Sequence, residues 1–161
     1  MTKSFPEPGK LFEGKYRVRD LLGSGGFARV YRAEQTDLER EVALKILSPQ
    51  VSSAASDESA DDKLESVALR FEREAKIVSK LRSSNTITMY DYGRTADGLL
   101  YMVLEYVDGV GLDEVDGPIA PRRVAKILQQ VLDSLREAHA HDLLHRDLKP
   151  ANIMLYEHLG E

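Results

Sequence analysis

The stretch His145-Arg146-Asp147-Leu148-Lys149-Pro150-Ala151-Asn152 decides how the rest of this chain is read, because eight residues crowd several polar groups into one short segment. An amphipathic helical pattern precedes it and the apolar run Ile153-Met154-Leu155 follows, so the polar groups are expected on a turn between two buried elements. Asp147 suits a general base, Asn152 suits a metal ligand, and Lys149 between them can neutralise an anion developing at the same place.

Upstream of this loop, Val124, Ile127, Leu128, Val131, Leu135 and Ala138 recur at helical spacing and predict a helix from Pro121 to about His139. Pro121 fits its first turn. His139 and His141 lack an acidic or histidine partner at ligand spacing on the same face, so a metal centre is not read there. Residues 108–120 are glycine-rich and turn-like and read as a linker.

In the first half of the chain, Tyr16 to Leu22 alternates as a strand does and runs into Gly23-Ser24-Gly25-Gly26-Phe27-Ala28-Arg29-Val30-Tyr31. A second strand, not a helix, follows the glycines, so the segment reads as a hairpin. Gly23 and Gly25 would let backbone N–H groups approach phosphate oxygens, although alone the segment is equally an ordinary Gly-rich hairpin. Lys45 interrupts the apolar strand Glu41 to Leu47 and needs an anion if it points inward; taken alone, an outward-facing strand lysine fits equally.

Residues 48–63 are small and acidic and read as a surface insert. Asp62 and Glu65 form a capping arrangement for a helix from Lys63 to about Arg82, with Leu64, Val67, Phe71, Ala75, Val78 and Leu81 on its apolar face. Glu74 lies on that same face, where a carboxylate is costly unless a cation meets it, and Lys45 is the available one. Strand-like runs at 87–93 and 99–107, separated by the polar turn Arg94 to Gly98, complete an expected five-stranded antiparallel sheet. Residues 1–13 read as a leader outside it.

Composition bounds the class. With 161 residues, 42% hydrophobic and 30% charged, the chain is long enough for a core. Its net charge of -5 argues against a nucleic-acid surface, and the absence of cysteine excludes disulfides and Cys-ligated zinc. No apolar run is long enough to span a membrane, and a cytoplasmic location is the expectation.

Taken in order, these motifs resemble those of protein kinases, and Lys149 two residues after Asp147 resembles the bacterial eukaryotic-like Ser/Thr branch. One departure is visible: Ala28 stands where the family pattern has its third loop glycine. The resemblance implies an α+β fold: an N-lobe at 14–107 with the 48–63 insert, a hinge and linker at 108–120, and the start of a C-lobe at 121–161. It implies phosphoryl transfer from ATP, with Mg2+, to Ser or Thr of a protein substrate. Lys45 and Glu74 would position the nucleotide; Val30, Ala43 and Met154 would sandwich the base. Leu104 would be the gatekeeper, and the backbone at Glu105 and Val107 would meet the adenine edge. Asp147 would be the base, Lys149 the charge neutraliser and Asn152 a Mg2+ ligand, while Tyr90, Val78 and His145 would belong to the internal spine. An Asp-Phe-Gly motif is expected within about 10 to 25 residues after Asn152, and the 161 residues do not contain it. The chain therefore reads as a front portion that binds nucleotide weakly, with the rest of the C-lobe a candidate partner in trans. A nucleotide-binding regulatory or pseudokinase module is the alternative.

Overall fold

A computed structural model describes residues 5–25, 28–47, 68, 69, 71–73 and 75–156. The described residues of Met1–Ser79 and Thr88–Tyr106 form one compact unit, and those of Lys80–Ile87 and Val107–Glu161 form another.

The first unit is built on an antiparallel sheet of six strands: β1 (Leu11–Phe12), β2 (Tyr16–Ser24), β3 (Ala28–Gln35), β4 (Arg40–Leu47), β5 (Met89–Arg94) and β6 (Leu100–Glu105), in the order β1-β2-β3-β4-β6-β5. The expected five strands gain a sixth because Leu11 and Phe12, read as leader, pair with Arg17 and Tyr16. Phe12 is buried and meets the Tyr101 ring edge-on at 5.1 Å, so the leader is fixed to the core by an aromatic side chain.

Alternation sorts the strands into two faces. On one face Val18, Tyr31, Val42, Leu44, Ile46 and Val103 are buried together. On the other, Leu47, Leu100, Tyr92 and Met102 pack with Ala68 and Phe71 of α1, which is helical at 68, 69, 71–73 and 75–78. Phe71 and Tyr92 meet edge-on at 6.3 Å. The insert at 48–63, the predicted start of α1 and Glu74 lie outside the described residues.

Long-range polar contacts pin the register. The buried Tyr16 donates its hydroxyl to Asp91 Oδ2 at 2.9 Å, and burial followed by that hydrogen bond pushes its phenol pKa well above the usual value. In the β5–β6 turn, Thr95 Oγ1 accepts from Leu99 N–H at 2.9 Å, and Gly98 takes φ 84, a conformation open mainly to glycine. Tyr90, expected inside, is 38% exposed under the Arg40 guanidinium at 3.6 Å. The register shift between Met89 and Asp91 gives the inward place to Met89, which is 8% exposed.

The second unit contains α2 (Pro121–Ala140), its N-terminus marked by the expected proline. Of the predicted apolar stripe, Ile127 and Ala138 are buried, Val131 and Leu135 half-buried, and Val124 and Leu128 exposed. Glu137 accepts N–H bonds from Arg82 and Ser83 at 2.8 and 2.7 Å, tying the 80–87 segment to α2. Those backbone donors hold its carboxyl below the usual range. Residues 108–120, expected as turn alone, contain β7 (Val110–Gly111) and a 3-10 turn at Leu112–Glu114. β7 pairs antiparallel with β8 (Met154–Leu155). Glycine permits that pairing: a Cβ on Gly109 would collide with the Leu155 carbonyl oxygen. Among the described residues no helix is long and apolar enough to cross a membrane.

Candidate functional site

In the first unit the sheet brings five of the expected residues together by register. Val30 pairs with both Gly23 and Lys45, and Ala43 pairs with Leu104. Val30, Ala43, Lys45 and Leu104 alternate with the fully buried positions and are all half-buried on the face that carries α1. An ammonium group therefore stands on a largely apolar, partly open surface bounded by a glycine turn.

That turn is closed by the Gly25 N–H, which donates to the Ala28 carbonyl at 2.9 Å; Gly26 and Phe27 lie outside the described residues. Neither Gly23 nor Gly25 has a positive φ, and among the described residues a Cβ on Gly23 would meet nothing within 4 Å and one on Gly25 only the Ala28 oxygen at 3.9 Å. Among the described residues, then, nothing at these two positions demands glycine. Glu105 donates its N–H to Thr88 O at 2.8 Å, so of its two backbone groups only the carbonyl can meet a nucleobase.

In the second unit α2 delivers the loop. The helix stops at His141, Asp142 takes φ 57, and Leu143 N–H returns to Ala138 O at 2.9 Å. Arg146 sits at φ 61, and around it Asp147 N–H donates to His145 O at 2.8 Å, a tight three-residue turn that turns the chain just before Asp147. Pro150–Asn152 form one 3-10 turn, with Asn152 N–H bonded to Lys149 O at 2.9 Å. Leu112 N–H donates to Ile153 O at 2.8 Å, which anchors the far end of the loop next to β8. Met154 is half-buried opposite Gly111, and Val107 is half-buried at the start of the unit's second segment.

Three side chains interlock in this loop. Lys149 Nζ lies 3.0 Å from Asp147 Oδ2, and Asn152 Nδ2 donates to the same oxygen at 3.1 Å and to the Asp147 carbonyl at 2.7 Å. The Lys149 hydrogen bond, then that of Asn152, lowers the Asp147 carboxyl below its ordinary pKa, although the group is exposed. A depressed value means the ion pair supports the folded loop above the usual carboxylate range and is lost as pH falls through the folded pKa. Lys149→Ala in the full-length protein is therefore expected to raise the Asp147 pKa, read by carbon-detected NMR titration of its carboxyl. A pKa unmoved by that substitution would show that Lys149 is not its partner in solution.

With its amide nitrogen committed to Asp147, Asn152 turns its carbonyl oxygen the other way, and a neutral oxygen donor fits a hard divalent cation as one ligand. Among the described residues no group of three or more His, Asp or Glu side chains is assembled to hold a metal, so phosphate oxygens and water would complete such a shell. Sequence reasoning missed the Arg146 turn and the Glu137 anchor. Neither leaves a periodic signal, since both depend on backbone geometry or on contacts across more than fifty residues.

The comparisons agree with this geometry. The family described as protein kinase domain matches residues 16–159. The chain is 40% identical to serine/threonine-protein kinase pkn3 of Myxococcus xanthus over 150 residues, covering 91% of this chain and 26% of that protein. It is 37% identical to serine/threonine-protein kinase PrkC of Bacillus subtilis over 155 residues, covering 94% of this chain and 22% of that protein. The chain thus spans about a quarter of the length of these curated relatives. Among solved structures, a Cys-to-Ala mutant of the Mycobacterium tuberculosis PknI kinase domain superposes with a TM-score of 0.75 at 30% identity, covering 94% of this chain and 58% of that one. With a sheet bearing Lys45 beside a glycine turn, a helix-borne Asp147-Lys149-Asn152 loop and these matches, the chain belongs to the protein kinase domain family, where its relatives are bacterial serine/threonine kinases.

Proposed function

We propose that this chain supplies the nucleotide-binding and catalytic-loop portion of a kinase that transfers the γ-phosphoryl group of ATP to Ser or Thr hydroxyls of a protein. The observation that carries the reading is the Asp147-Lys149-Asn152 interlock, in which one carboxylate oxygen is held by a cation and an amide. Held there as an anion, Asp147 accepts the proton of the attacking hydroxyl. Lys149 stabilises negative charge on the moving phosphoryl group. Asn152 would present its carbonyl oxygen to Mg2+, which when bound neutralises charge on the phosphates.

On the sheet, Lys45 pairs with nucleotide phosphates and is proposed to be held by Glu74. Val30, Ala43 and Leu104 of that sheet offer apolar surface to the base, and the Glu105 carbonyl offers it a hydrogen bond. The lysine two residues after Asp147 supports Ser and Thr as acceptors; phosphotyrosine as the main product on peptide arrays would overturn that part. The parent test is transfer of radiolabelled phosphate from ATP to protein by the full-length enzyme.

The glycine turn gives a separate test. Because no described residue crowds a Cβ on Gly25 and its φ is not positive, Gly25→Ala should leave folding within about 1 kcal/mol of wild type, with a small gain expected from the stiffer unfolded chain. If phosphates approach the turn, the added methyl should raise KM for ATP several-fold. Equal KM values would separate the turn from the nucleotide.

A further inference from the structure

We propose that the leader at 5–12 is a positioning element for nucleotide binding, in which the Phe5 ring holds the Arg29 guanidinium and so steadies the strand that presents the glycine turn. This rests on the reading of the Lys45 face and glycine turn as the ATP site. The Arg29 guanidinium lies 4.1 Å from the centroid of Phe5, a cation–π distance, and Phe5 packs against the buried cluster of the sheet.

Arg29 occupies a sensitive position. It pairs with Ser24 across the hairpin, follows Ala28, whose carbonyl closes the turn on Gly25, and precedes Val30, which pairs with Lys45. Successive residues of a strand point to opposite faces, so a grip on Arg29 from the core side fixes the backbone that carries Ala28 and Val30 on the nucleotide side. A ligand then meets a hairpin whose start is already ordered, and less conformational freedom is lost on binding.

The leader is equipped to deliver that grip. Gly9 N–H donates to Val18 O at 2.8 Å, Val18 N–H donates to Lys10 O at 3.0 Å, and Phe12 is buried against Tyr101. Pro6 and Pro8 restrict the short link between this anchor and Phe5. Phe5, Phe12, Thr95 and Leu99 also line one pocket of the first unit, which places the Phe5 ring beside the β5–β6 turn.

The test measures equilibrium binding of a fluorescent ATP analogue to the full-length protein, alongside KM for ATP, kcat and melting temperature. Phe5→Ala and Arg29→Met are each expected to weaken binding about threefold to tenfold, the range a partly exposed cation–π contact carries. The double variant should be no worse than the weaker single. Phe5→Tyr and Arg29→Lys, which keep ring and cation, should restore most of the affinity, and kcat at saturating ATP should stay near wild type. Should Phe5→Ala not fold, the Arg29→Met and Arg29→Lys pair decides. Binding unchanged in Arg29→Met, or fully additive losses in the double variant, overturns the clamp while leaving the ATP site standing. A wild-type protein that does not bind the analogue overturns the functional reading and the clamp with it.

Discussion

Full-length protein carrying Asp147→Asn is expected to transfer phosphate about 10²- to 10⁴-fold more slowly than wild type if the proposed activity holds, the range associated with a lost general base. The substitution is close to isosteric, yet it removes both the proton acceptor and the negative partner of Lys149, now 3.0 Å away. The group is exposed, so the loop itself should survive with little loss of stability. Nucleotide binding should change far less than turnover, because Gly23, Gly25 and Lys45 belong to the other unit's sheet. The measurement is radiolabelled-phosphate transfer at saturating ATP together with analogue binding on the same preparation. Transfer retained within a few-fold of wild type would remove Asp147 from the proposed mechanism.

Lys45→Met is the second large effect, with an expected fall of about 10²- to 10³-fold, comparable to removing one preorganised charge donor from a reacting site. Stability should move in the other direction or not at all. Lys45 stands half-buried between Val30 and Met102, and a thioether of similar length escapes the desolvation cost of an ammonium on that surface. If Glu74 holds Lys45, Glu74→Gln should also lower transfer, and the double variant should be little worse than the poorer single. Additive losses would sink the Lys45–Glu74 pairing, and a Lys45→Met protein that melts well below wild type at unchanged activity would assign Lys45 to the fold instead of the nucleotide.

Much of this arrangement was legible because it is local. The loop His145 to Asn152 closes on itself through contacts no more than five residues apart, and the Gly25–Ala28 turn spans four residues, so residue type and spacing carry both. Helical periodicity likewise predicted α2 within one residue of its C-terminus.

The misplacements share a different cause. The leader looked separate because its two-residue strand is too short to show a period, and its attachment depends on a Phe12–Tyr101 contact across most of the unit. Tyr90 was expected inside, but an irregularity between Met89 and Asp91 exchanges the inward and outward places, and a one-residue slip is invisible to alternation. Likewise, Tyr16 bonded to Asp91 is a pairing 75 residues apart.

The sequence by itself determined the kinase-like order of glycine turn, strand lysine and polar loop, and the identity of the groups able to do the chemistry. Tertiary structure alone decided which side chains of β5 enter the core, that residues 11 and 12 join the sheet, and that Glu137 ties residues 82 and 83 to α2. The division follows the range of the forces: turn chemistry and periodicity act between near neighbours, whereas register and burial emerge only when distant segments compete for the same apolar surface.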